Sequence, residues 1–190
     1  MLNIITAFGL ASSAGVNAYI PLFIVALAAH YPLNDPLIKL QAPYDAIGSW
    51  WAIMIIAFFL IIEMLADKVP AVDTLNDGIQ TFIRPAAGAI LFAASANIIT
   101  DIHPALALTA GLLTAGSVHA VKTTARPVVT AATGGTGNWA VSLVEDAAAL
   151  TMTLLAILVP ALAGLALLVI AFVIYRLARR WRRRSKTAFA

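Results

Sequence analysis

Glu63 and Asp67 stand four residues apart in EMLADKVP, a spacing that puts two carboxylates on one helical face. Lys68 follows directly, and Pro70 limits the helix. Asp73, Asp77, Gln80 and Arg84 then recur at helical spacing through VDTLNDGIQTFIRP. Further on, His119, Lys122 and Arg126 share a face and supply a basic counterpart. Asn138, Ser142 and Glu145 fall on one face at i, i+4 and i+7, with Asp146 adjacent. Carboxylates with Asn and Ser oxygens are hard ligands suited to Mg, Ca or Mn ions or to proton coupling, and Glu63, Asp67 and Glu145 are the candidate metal ligands. Arg84, Lys122 and Arg126 would instead suit an anion such as a phosphate or lipid headgroup. His119 is of the type that titrates near neutrality.

The elements that position these groups must lie in lipid. The chain has 190 residues, 62% of them apolar and 11% charged, with a mean hydropathy of +0.93. A soluble domain carries about 25% charge, so water is excluded as the main solvent. At ~20 residues per crossing there is room for about seven spans and no separate soluble domain. Cysteine is absent, which excludes disulfides, thiolate metal sites and cysteine nucleophiles. The net charge of +3 hides an asymmetry: seven of twelve bases lie between Arg176 and Lys186, and the rest of the chain holds five bases against nine acids. The run RLARRWRRRSK follows an apolar stretch directly, so it reads as a cytoplasmic flank under the positive-inside rule and not as a nucleic-acid site.

Apolar runs predict an all-α bundle of about six spans, at residues 4–29, 47–66, 85–100, 104–121, 139–159 and 161–177. They form one transmembrane domain over 1–178, followed by a basic tail over 179–190. Residues 139–177 are either two helices or one helix kinked at Pro160; two helices put eleven of twelve bases on one side, leaving only Lys39 across the membrane. Both termini are then cytoplasmic, in a bacterial inner membrane. Residues 70–84 are too polar to span and read as an interfacial or re-entrant helix, with Pro85 opening the third span. The stretch after Pro127, with Gly134, Gly135 and Gly137, reads as a re-entrant loop feeding a helix. In the first span, Asn17 followed by Pro21 suggests a helix broken near the bilayer centre, and Asn17 joins the candidate site. The outer loop, with Pro32, Pro36 and Pro43, is expected to be extended and solvated, and Trp50 and Trp51 to anchor at the interface. The N-terminal apolar run has no basic segment before it, so cleavage as a secretory signal is not expected.

The strings GLASSAGVNAYIPL, EMLADKVPAVDTLNDGIQTFIRPAAGA, HAVKTTARP and NWAVSLVED together resemble a family of bacterial integral membrane proteins known as a domain of unknown function. The resemblance covers about residues 8–150, leaves out the tail, and implies a membrane protein without assigning chemistry. A looser similarity is to small cation exchangers with E-x-G-D-K repeats, although here the spacing is one residue longer and the glycine is missing. The strings TFIRP and TTARP match as T-x-x-R-P and suggest an inverted internal repeat.

No H-E-x-x-H, G-x-S-x-G or P-loop string is present, so an enzyme is not expected and no cofactor is named. The leading expectation is a small transporter or channel for a cation, divalent or proton-coupled, through an acidic cytoplasmic-side site. The alternatives are an anion or lipid-headgroup transporter using Arg84, Lys122 and Arg126, and a non-transporting scaffold. A network of ion pairs would explain the same residues structurally. Expected partners are the lipid bilayer, a small cation or anionic substrate, and further copies in a homo-oligomer; nucleic acid is not among them.

Overall fold

The computed structural model describes residues 4–30, 32–33, 35–36, 38–40, 42–66, 70–96 and 103–187. Among these, seven helices form: α1 (Ile4–Val16), α2 (Tyr19–His30), α3 (Trp50–Ala66), α4 (Pro70–Ala96), α5 (Pro104–Thr133), α6 (Asn138–Leu158) and α7 (Pro160–Thr187). A two-residue ladder, β1 (Pro32–Leu33) against β2 (Asp35–Pro36), and a 3₁₀ turn over Tyr44–Gly48 lie between α2 and α3. Helices α5, α6 and α7 as far as Leu177 are long and apolar enough to cross a membrane, whereas α1, α2 and α3 are apolar but shorter. The outside of the bundle is apolar, with Trp51, Phe58, Leu168 and Phe172 exposed, while the largest fully buried side chain is Arg84. That inversion of the soluble pattern is what a lipid solvent selects.

The first predicted span is a hairpin. Thr6 Oγ1 donates to Ala156 O at 2.9 Å, Ser13 Oγ donates to Ala149 O at 2.7 Å, and Asn17 reaches Asp146, so α1 runs antiparallel to α6. Tyr19 stacks on Phe59, while His30 bonds Gly48 O at 2.6 Å and packs on Trp50, so α2 runs antiparallel to α3. Val25 joins Leu10, Leu91 and Ala156 in one buried cluster, which requires α2 to return alongside α1. The break expected at Asn17 is present, but the chain reverses there. With 13 and 12 residues, the two arms reach only about 20 Å each, short of a ~30 Å hydrocarbon layer. Ile4 therefore lies at the far end of the bundle, with His30 and Val159. The α5–α6 turn and the end of α7 lie at the tail end. This corrects the expectation that both termini share a side.

Three further local expectations change, and one alternative is decided. Residues 70–84 are not a separate segment: α4 continues through Pro85, whose missing N–H costs one bond to Thr81 O. Packing against α1 and α5 outweighs that loss. At its centre the α4 and α5 backbones meet at Gly88 and Gly111, where a Cβ on Gly111 would run into Gly88 O and Phe92 Cβ. Residues 127–133 are likewise not a loop, because α5 continues through Pro127 to Thr133. The connection to α6 is a four-residue turn at 134–137, in which Gly134 takes φ 60° and the N–H groups of Gly134 and Gly135 donate to Thr130 O. Residues 139–177 are two helices separated at Val159, with Pro160 opening α7. The outer connection is not wholly solvated, since Ile38 is buried in the core cluster with Leu40 packed beside it.

Candidate functional site

The hairpin tip ends inside the protein, and charge collects around it. Asn17 is 1% exposed and Ala18 is fully buried. Helix α1 ends with carbonyls, and α2 begins with N–H groups, that have no helical partners. Asn17 Oδ1 accepts from Tyr19 N and Ile20 N, both at 3.0 Å, and so caps α2. Its Nδ2 donates to Asp146 Oδ1 at 2.9 Å. Lys122 Nζ donates to Val16 O at 3.0 Å, a cation at the negative end of the α1 dipole. One polar residue at the reversal thus serves both arms, and α5 and α6 hold the tip from either side.

Two ion-pair groups flank the tip. In one, Arg84 Nη2 donates to Glu63 Oε1 at 3.0 Å, with both side chains essentially solvent-free. Arg84 Nη1 lies 3.0 Å from His119 Nδ1, and His119 Nε2 lies 3.1 Å from Thr81 Oγ1. Arginine can only donate, so Nδ1 is the acceptor; the ring is neutral and carries its proton on Nε2, directed at Thr81. In the other group, Glu145 Oε2 receives both Lys122 Nζ at 3.0 Å and Arg126 Nη2 at 2.6 Å. The two R-P strings do parallel work here, since each arginine pairs with a glutamate of the sequence-adjacent helix. Asn138 is buried and accepts from Thr130 Oγ1 at 3.0 Å, and Ser142 is buried one turn further along α6.

Of the sequence-predicted residues, Asn17, Glu63, Arg84, His119, Lys122, Arg126, Asn138, Ser142, Glu145 and Asp146 all face the interior around this tip. Glu63 faces inward as its spacing required. Asp67 and Lys68 lie outside the described residues. Asp73 and Asp77 lie on α4, and their side chains are likewise outside the described residues. Glu63 and Glu145 do not converge: each turns to its own cations, and among the described residues no group of three His, Asp or Glu could hold a metal. The metal reading of Glu63, Asp67 and Glu145 is therefore not carried further. Sequence reasoning left out Tyr19, which sits within hydrogen-bonding reach of Gln80 beside Glu63, and gave Gln80 no role. The recurrence of Gln80 with Arg84 carried a signal; Tyr19 carried none.

An apolar-sided bundle whose interior holds buried ion pairs around a helical hairpin is the build of a polytopic membrane protein. The chain belongs to the family described as Domain of unknown function (DUF4126), whose model matches residues 4–180, further at both ends than the quoted strings and into the basic tail. No curated protein and no solved structure matches it. The likeness to small cation exchangers rests on one string of sequence alone.

Proposed function

We propose that the protein is a small cation transporter or channel, not an enzyme, with its pathway passing the hairpin tip. The observation that carries this reading is the convergence of Glu63, Arg84, His119, Lys122, Arg126, Glu145 and Asp146, from four helices, on a helix pair that stops inside the bundle. Discontinuous helices and intramembrane charges are the two devices by which membrane bundles open a polar route through lipid. A charge at mid-membrane costs about 3 kcal/mol even on insertion scales, so seven ionisable groups need more than structural convenience to persist. The cation is monovalent or a proton, because Glu63 and Glu145 already share their charge with bases and the described residues offer no multi-carboxylate cage. The hairpin enters from the outer face of a bacterial inner membrane and the basic helix end of α7 lies in the cytoplasm, with the tip nearer the cytoplasm.

The test is flux into liposomes of purified protein, read with cation-sensitive and pH-sensitive dyes. Glu63→Gln and Glu145→Gln should each abolish it; flux unchanged in both would overturn the reading.

A further inference from the structure

Beside Glu63 and next to the hairpin tip, α2, α3 and α4 line a small, partly open cavity of about 130 Å³. Its polar walls are Tyr19, Glu63, Asn76 and Gln80, and its apolar walls include Phe59 and Ile79. Gln80 is 2% exposed, and its Oε1 has no hydrogen-bond partner among the described residues, although its amide lies within reach of the Tyr19 hydroxyl. A buried carbonyl oxygen without a donor costs about 1–3 kcal/mol, and evolution rarely leaves one without an occupant to serve it. We infer that this cavity is a binding site for one largely dehydrated monovalent cation, an alkali ion or ammonium, held by Glu63, Gln80 Oε1 and the Tyr19 hydroxyl oxygen.

The chemistry of the walls selects the class. A carboxylate, an amide oxygen and a phenol oxygen are hard acceptors, and the Asn76 side chain can add another oxygen. The volume is that of about four water molecules at ~30 Å³ each, enough for an ion with one or two waters and too small for an organic substrate. A single carboxylate that also binds Arg84 is too little charge for a divalent ion. Filling the site adds a positive charge beside Glu63 and so competes with Arg84, which has His119 as its second partner. Occupancy would thereby be felt at the ion pairs around the hairpin tip. This inference rests on the cation reading above and names its substrate class and position.

The test uses the full chain in detergent micelles, with tryptophan fluorescence following thermal unfolding against added NaCl, KCl, NH₄Cl or N-methylglucamine chloride. At least one small cation should raise the Tm saturably while N-methylglucamine does not, and Gln80→Leu should weaken the apparent affinity by about tenfold or more. Tyr19→Phe should weaken it less, and a well-folded Gln80→Glu should retain or tighten it. Equal, unsaturable shifts with all four salts would overturn the site, as would a saturable shift unchanged in Gln80→Leu. A response to pH alone would also overturn it and assign the cavity to protons. Flux that needs Glu63 but ignores Gln80→Leu would sink this site while leaving transport standing. Saturable binding without any flux would do the reverse.

Discussion

The Glu63–Arg84 pair sets the sharpest energetic test of the interior. At 3.0 Å and effectively zero exposure, two unit charges attract by roughly 5 kcal/mol even at an effective dielectric constant of ~20. Desolvation of both groups offsets much of this, so the intact pair contributes little net stability while either group alone is a buried, uncompensated charge. Glu63→Gln takes the carboxylate from Arg84, and Arg84→Met leaves the carboxylate without its guanidinium; each should cost about 3–5 kcal/mol. The double variant Glu63→Gln/Arg84→Met removes both charges, keeps the volume close, and should cost only about 1–3 kcal/mol, mostly from unmade hydrogen bonds at His119 and at the introduced amide. The expected coupling is therefore about 3 kcal/mol or more, measured by reversible unfolding in mixed micelles with helical ellipticity as the signal. Single-variant costs that add to within ~0.5 kcal/mol in the double would refute the pair as an energetic unit. The same double variant separates stability from transport: it should fold and lose flux, whereas normal flux would reduce the pair to a structural role.

Three further outcomes follow from the hairpin and its packing. Asn17→Ala should cost about 2–3 kcal/mol in the same unfolding assay, because it removes the α2 cap and the donor to Asp146 together, and Asn17→Asp should restore the cap but set a second carboxylate against Asp146. Two carboxylates sharing one site are best tolerated with one proton between them, so the Asn17→Asp protein should lose stability as pH rises; a flat pH profile would count against the contact. Gly111→Leu should destabilise by at least about 3 kcal/mol or prevent folding, since its side chain meets Gly88 O and Phe92, while Gly116→Ala meets only Pro85 at 3.7 Å and should be neutral or slightly stabilising by the gain in helix propensity. The chain has no cysteine, so single cysteines can be mapped directly: Ile4→Cys and Lys39→Cys should react with an impermeant thiol reagent from one side of the membrane and Thr136→Cys from the other, and Ile4→Cys labelling together with Thr136→Cys would refute the hairpin.

Much of the interior was legible because charge in a lipid-solvated chain has few places to go. Glu63 was placed inward by its four-residue spacing, and the shared faces of His119, Lys122 and Arg126 and of Asn138, Ser142 and Glu145 are the faces that are buried. What sequence did not resolve is direction. The run Ile4 to His30 is apolar on both sides of Asn17, and a kinked span and a reversing hairpin share that pattern; only tertiary contacts such as Tyr19 with Phe59 and His30 with Gly48 distinguish them. Proline was over-read in the same way. Pro85 was expected to open a span and Pro127 to precede a loop, yet each sits inside a helix, because losing one intrahelical bond is cheaper than breaking the close α4–α5 contact at Gly88 and Gly111. The pairing partners were also illegible: Asn17 with Asp146 and Lys122 with Val16 O join positions more than a hundred residues apart.

Reversal at Asn17 moves Ile4 to the far end, but the segment it moves carries no lysine or arginine, so the distribution of eleven of twelve bases against Lys39 is unaltered. Under the positive-inside rule, charge bears on the placement of α3 to α7 and is silent about α1 and α2. Other contacts hold the hairpin, and at its tip the polar anchors include Lys122 at the last carbonyl of α1 and Asp146 at the Asn17 amide. Lys122 belongs to the group that balances charge with Arg126 and Glu145, and Asp146 follows Glu145 directly in the chain. A cation arriving near these groups would change the partners available to Lys122 and Asp146, and with them the hold on the tip. In this chain the element that positive charge leaves unplaced is the one most directly tied to the buried charges.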